Sequence, residues 1–444
     1  MRTIGIAVAL ALVAACSSSG GNNPDGGNPN DGGGNPDGNG NPDGGNPDGG
    51  NPGGSCGQAT LFAGNPFFGE SDHDPNSNDD PSQRPADGAN ILTGIPYHYQ
   101  LLHFGGSQII TNDQLSVWSI DPNGGVLHPI AGDLNGNAQL KAGPCTDARF
   151  ADILGSAMAS DGTLYLVDYA NAVLKVSNPL NSGTCTVSYF AGTATELDAP
   201  NLDGTDGNSG TNDGTGAAAQ FEGPEEVTID AAGNLYVLDG GATSDSAWRV
   251  RKITPAAVVS TIATFPGSEY AYGQLQFLNG KVYFWARGND ASDADTANLI
   301  AMDPSAASPV SDPPSLLTLH GTDLNGDSSS GFNVGGITTD GTKLYVVGNS
   351  QLFSIDVSGA TPKISKVLAG EDDDKFDPQS DLDFDWTDNY DPTASHSASQ
   401  VELLSLDETQ TLGVFSYLSR DSSGNIYFTA ESEDSYVEKI AGCP

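Results

Sequence analysis

Residues 217–265 constrain the fold more than any other stretch, because they spell out one complete structural unit. Four short runs rich in aliphatic and aromatic residues occupy 227–229, 235–238, 248–253 and 258–262, with turn signals at Ala231-Ala232-Gly233 and Thr254-Pro255. Short strands separated by turns predict a four-stranded antiparallel meander. A lone sheet of this size leaves both edges unprotected, so the unit requires copies of itself. The second-strand signal recurs as Gly162-Thr163-Leu164-Tyr165, Gly233-Asn234-Leu235-Tyr236, Gly280-Lys281-Val282-Tyr283, Gly341-Thr342-Lys343-Leu344-Tyr345 and Gly424-Asn425-Ile426-Tyr427. A degenerate copy stands at 106–110, and a third-strand run follows each, so six units are expected.

The Pro-x-Gly-type entry, the Gly-Asn-Leu-Tyr-Val strand and the Arg-Lys-Ile run resemble the NHL repeat family of β-propellers. The match is best in the third unit and weakest in the first and fourth. The resemblance covers roughly residue 56 to the end and implies an all-β, six-bladed propeller of four-stranded antiparallel blades. The run 59–64 looks like a fourth strand with no first three before it, while the sixth unit stops after its third strand at Ile440. The two halves complete one blade, so the N-terminal strand is expected to close the ring, which removes the free seam. The tyrosines 165, 236, 283, 345 and 427 recur once per blade and are expected to pack between blades.

The chain begins MRTIGIAVALALVAAC, a positive start and an apolar run too short for a permanent span, which reads as a signal peptide. Val13-Ala14-Ala15-Cys16 looks like a bacterial lipobox, so residues 1–15 are expected to be removed and Cys16 lipidated. Residues 16–55 are almost wholly Gly, Asn, Pro, Asp and Ser, a composition that cannot offset the entropy of ordering. They read as a tether, and 56–444 as the propeller. The expected address is the bacterial cell envelope, anchored to the outer membrane through Cys16, on a face that the sequence leaves open. Four further cysteines allow three pairings. Cys56 and Cys443 flank the two halves of the closing blade and are paired; Cys145 precedes the second blade, Cys185 opens its fourth strand, and these are paired too. An even set fits an oxidising compartment.

Acidic residues number 57 against 16 basic ones, a net charge of −41. Nucleic-acid binders need basic stripes, so that class is excluded. The acid is concentrated in polar insertions at 65–90, 133–147, 193–215, 322–331 and 371–399, expected on one face of the disc, where loops on rigid scaffolds carry function.

Chemistry is harder to place. Asp323, Asn325 and Asp327 occupy the first, third and fifth places of a calcium loop, but Val334 stands where the twelfth-place carboxylate belongs. No cofactor is expected beyond calcium there. His128 and His320 fall on outer strands, and aligning Pro96 with Pro224 puts His98 near the axis. No nucleophile elbow, HExxH or phosphate loop is present. The same alignment assembles an axial mouth from Tyr97, His98, Glu225, Glu226, Tyr272 and Asn333. Glu225 and Glu226 suit acid–base work, although neighbours on a strand point to opposite faces. The leading expectation is a monomeric, non-catalytic module binding a protein or glycan. Its rivals are an exported hydrolase or lyase with a divalent metal at the axial mouth, and a calcium-stabilised envelope protein.

Overall fold

In the computed structural model the repeating units are blades of a six-bladed β-propeller. The structure describes residues 58–64, 102–105, 108–121, 126–134, 137–198, 206–240, 247–265, 269–288, 296–305, 310–311, 315–320, 334–348, 351–368, 396–397, 417–430 and 436–441, all within the unit 51–444. Cys16, Cys56 and Cys443 lie outside them.

Each blade is a four-stranded antiparallel meander. The inner strands of blades 1 to 6 are His103–Gly105, Ile153–Met158, Pro224–Ile229, Glu269–Leu278, Val334–Thr339 and Tyr417–Arg420. The outer strands are Val126–Gly132, Thr186–Gly192, Val258–Thr264, Ser315–His320, Lys363–Leu368 and, for blade 6, Gln58–Gly64. That last strand lies antiparallel to Tyr436–Ala441, with Ala59 opposite Ile440 and Leu61 opposite Glu438, so the ring closes as expected.

The Gly-x-Leu-Tyr signal is a turn with a built-in staple. Gly162, Gly233, Gly280, Gly341 and Gly424 all take φ between 80° and 88°, a left-handed conformation that costs glycine nothing. An aspartate ahead of the glycine accepts from the turn amides: Asp230 from Ala232 and Asn234, Asp340 from Thr342 and Lys343, Asp421 from Ser423 and Asn425. The tyrosine hydroxyl then donates back to the same carboxylate, at 2.9 Å for Tyr236, 3.2 Å for Tyr345 and 3.1 Å for Tyr427. The rings are buried between blades, as expected: Tyr236 stacks on Phe277 of blade 4, and Tyr427 meets Phe104 of blade 1. Aliphatic side chains fill the rest of each interface; Ile110, Val117, Ile153, Leu164 and Leu166, for example, share the core between blades 1 and 2.

Three of the insertions are pinned to blade edges. The segment before blade 2 packs Leu140 and Phe150 into the core, and its Gly143–Pro144 pairs with the outer strand of that blade. Gly214–Thr215 does the same on blade 3 and His396–Ser397 on blade 6. These three insertions thus cross to the outer edge of the blade that each precedes. The physical reason is edge protection: an outermost strand exposes a row of unpaired backbone groups, which the incoming chain covers. Two insertions also pair with each other, Leu140 opposite Leu197 and Gln139 opposite Asp198. The Cys145–Cys185 disulfide, with Cα atoms 5.4 Å apart, ties the Gly143–Pro144 edge to blade 2 as expected.

Candidate active site at the axial mouth

The inner strands of blades 2 to 6 pack one against the next around the axis. Their first residues abut the last residues of the second strands, so one end of the ring gathers Asp152, Glu222, Glu225, Asp168 and Asp239. Local geometry singles out Glu225. Pro224 pairs with Asp239 and Glu226 with Leu238, which leaves Glu225 as the extra residue of a register shift. Such bulges re-aim a side chain out of the regular alternation. Glu226 is buried, whereas Glu225 keeps part of its surface open to solvent. A close backbone approach fixes this position: a Cβ on Gly155 of blade 2 would stand 2.6 Å from the Glu225 carbonyl oxygen and 2.9 Å from the Glu226 Cα. Only glycine fits there.

The Glu225 carboxyl is enclosed on most sides, and burial pushes it up to about 8, helped by the negative charges of Asp239 and Asp152. At neutral pH it carries a proton. Asp239 is fully buried; its Oδ1 accepts from the Glu222 amide at 2.7 Å and its Oδ2 from Arg251 Nη1 at 2.6 Å. Burial is the largest influence and leaves this carboxyl raised overall, against the opposing pull of Arg251, the Glu222 amide and Arg249. The guanidinium bonded directly to it, itself buried, is the contact that favours its charged form. In blade 2 the matching Asp168 accepts from the amides of Ala151, Asp152 and Ala170, and burial still raises it to about 7.

Elsewhere around the axis, hydrogen bonds join the blades. His103 Nε2 lies 2.9 Å from Ser156 Oγ, and burial lowers the imidazole to about 4, so it is neutral. Ser419 Oγ accepts from the Leu102 amide at 2.9 Å. Gln274 sits inside a second register shift, between Tyr272 and Gln276. It accepts from the amides of Ile337 and Leu418 and donates to the Leu418 carbonyl, bridging blades 4, 5 and 6. These bonds tie the inner strand of blade 1 to those of blades 2 and 6, and that of blade 4 to those of blades 5 and 6.

Of the expected mouth residues, Glu225 and Glu226 sit on the inner strand of blade 3, and Tyr272 pairs with Trp285 on that of blade 4. Tyr97, His98 and Asn333 lie outside the described residues, as do Asp323, Asn325 and Asp327. A histidine that the alignment on Pro96 did not single out, His103, stands on the inner strand of blade 1. The signal was the degenerate strand at 108–110, which fixes its partner only once the tight turn before it is known. Asp152 and Asp239 were also missed; Asp239 comes next to Glu225 through strand pairing within blade 3, and Asp152 only once blade 2 packs against it. His128 and His320 are on outer strands, as expected. Among the described residues no three His, Cys, Asp or Glu side chains converge as metal ligands.

No protein-family model matches the chain, and no curated relative does. Solved structures match as folds. A gluconolactonase from Xanthomonas campestris is 10% identical over 75% of this chain and 82% of its own, with a TM-score of 0.38. A glucose dehydrogenase is 11% identical over 78% and 97%, TM-score 0.43. The PQQ-bound aldose sugar dehydrogenase from Streptomyces coelicolor is 11% identical over 80% and 99%, TM-score 0.42. The likeness is one of fold. The shared architecture is the propeller, not the NHL repeat in particular. These neighbours are enzymes by name, and the expectation of a non-catalytic binding module is corrected here. That expectation took the lack of local sequence motifs for a lack of catalytic means. Motifs cannot register a niche built from strands far apart in the chain.

Proposed function

We propose that this chain is an exported, lipid-anchored enzyme, NHL-like in its repeats, doing acid–base chemistry of the hydrolase or lyase type at the axial mouth. One observation carries the reading: the register shift at Pro224 frees Glu225 from its strand's alternation, and burial, then the charges of Asp239 and Asp152, push its carboxyl up to about 8. A pair of carboxyl groups whose surroundings push their proton affinities apart supplies an acid and a base in one place. Glu225 is the proton donor, and Asp152, at the entry of blade 2, is the acceptor. The anchor is Cys16 and the tether is 17–55, which places a monomeric propeller in the cell envelope.

The test is a substrate panel of aryl esters, lactones and glycosides presented to wild type and Glu225→Gln. The expected result is turnover of one class, with a rate that falls as pH rises through about 8 and is reduced by roughly 100-fold or more in the variant. Equal turnover in both proteins refutes the assignment. The address is tested separately: Cys16→Ser should release the protein from the membrane fraction, and unchanged sedimentation with membranes would end that part of the proposal.

A further inference from the structure

Arg251 is a fully buried cation on the third strand of blade 3, two strands away from the mouth. Its guanidinium is held on several sides: Nη1 donates to Asp239 Oδ2 at 2.6 Å and to the Gln220 carbonyl at 2.9 Å, and Nη2 to the Asn212 carbonyl and Asp213 Oδ1, both at 3.1 Å. The ring of Phe221 lies below it, 5.2 Å from the guanidinium carbon to the ring centre. Asp213 is anchored in turn by the amide and hydroxyl of Thr261. The insertion before blade 3 is thereby clamped onto the blade, and Asp239 projects from the same cluster to the start of the inner strand, opposite Pro224. A buried ion pair costs desolvation that hydrophobic packing would not, so it is weak evidence of a purely stabilising role.

We propose that Arg251 is a positioning residue of the mouth: it holds Asp239 as the carboxylate beside Glu225, and so decides which of the two carboxyl groups carries the proton. This rests on the reading of Glu225 as the proton donor. The charged groups around Glu225 are Asp239 across the strand pair, Asp152 at the entry of blade 2, Glu226 on its own strand, and Glu222, whose carboxylate is paired with Arg249 at 3.2 Å. Only Asp239 has a counter-charge that is entirely buried. Without that cation, buried Asp239 takes up a proton, its negative charge disappears, and Glu225 releases its own proton more readily.

The experiment is a carboxyl ¹³C NMR titration of the full-length protein in detergent, with the Glu225 resonance identified by its absence in Glu225→Gln. Asp239→Asn and Arg251→Met should each lower the Glu225 midpoint by roughly one pH unit or more, and Arg251→Lys, which keeps a cation, should restore most of the difference. If Arg251→Met does not fold, Arg251→Gln, which keeps a hydrogen-bonding group beside Asp239 without the charge, is titrated in its place. A Glu225 midpoint unmoved in Asp239→Asn and in the Arg251 variant overturns the proposal. The two readings separate cleanly. A midpoint that moves while Glu225→Gln keeps full turnover removes the catalytic role and retains the relay, and an unmoved midpoint with turnover lost does the reverse.

Discussion

At the scale of single residues, Glu225 is the clearest conflict between folding and surroundings. An exposed glutamic acid loses its proton near pH 4.3, whereas this one holds it up to about 8. The folded state therefore binds the proton more tightly than the unfolded chain does. The sign follows from linkage: the stabilising contribution is complete below about pH 4 and is lost as pH rises to about 8. Gln resembles the protonated acid at every pH. Wild type and Glu225→Gln should therefore melt at similar temperatures at low pH, and the variant should melt higher at pH 9. A melting difference that stays constant across this range would show that Glu225 is not held protonated by the fold. A more stable variant with less turnover is what an active-site group under strain predicts.

Among the elements, the edge-covering insertions set the terms. The segment 137–150 is attached to blade 2 by the Gly143–Pro144 pairing, by Leu140 and Phe150 in the core, and by the Cys145–Cys185 bond. That bond closes a loop with a sequence separation of 40, for which chain entropy sets a ceiling of about 4 kcal/mol. Cys185→Ser should lower stability to chemical denaturant by up to that amount. Amide exchange should quicken first at Gly143, Cys145 and the partner strand Thr186–Gly192, while the inner strands keep their protection. Equal loosening of inner and outer strands would mean that the disulfide supports the whole blade rather than its edge.

For the whole molecule, closure is the deciding feature. Blade 6 takes three strands from one end of the chain and its outer strand from the other. Deleting Gln58–Gly64 leaves Tyr436–Ala441 as an open edge with its hydrogen-bonding groups unpaired. The deleted protein should unfold at a lower temperature and self-associate in analytical ultracentrifugation. A monomeric deletion variant with unchanged melting would show that the ring does not depend on the strand. Axial bonds add a second constraint. Gln274 joins three blades, and His103–Ser156 and Ser419–Leu102 join two each, so the inner strands are tied to one another by side-chain bonds as well as by packing.

Local rules carried much of this in the sequence itself. The Gly-x-Leu-Tyr turns require a left-handed residue, the strands alternate, and an unmatched fourth strand at one end fits an unmatched trio at the other; each is a matter of neighbouring residues or of counting units. Cys145 and Cys185 were paired by the same counting. Glu225 and Glu226 were visible as candidates, but not their difference, because a regular strand sends neighbours to opposite faces without saying which is enclosed. Only the packed ring decided that. The register shift at Pro224 frees Glu225 from the alternation, Gly155 brings blade 2 against its backbone, and Asp152 and Asp239 come beside it from other strands. Proton affinity depends on burial and on charges brought close in space, and neither is a property of spacing along the chain.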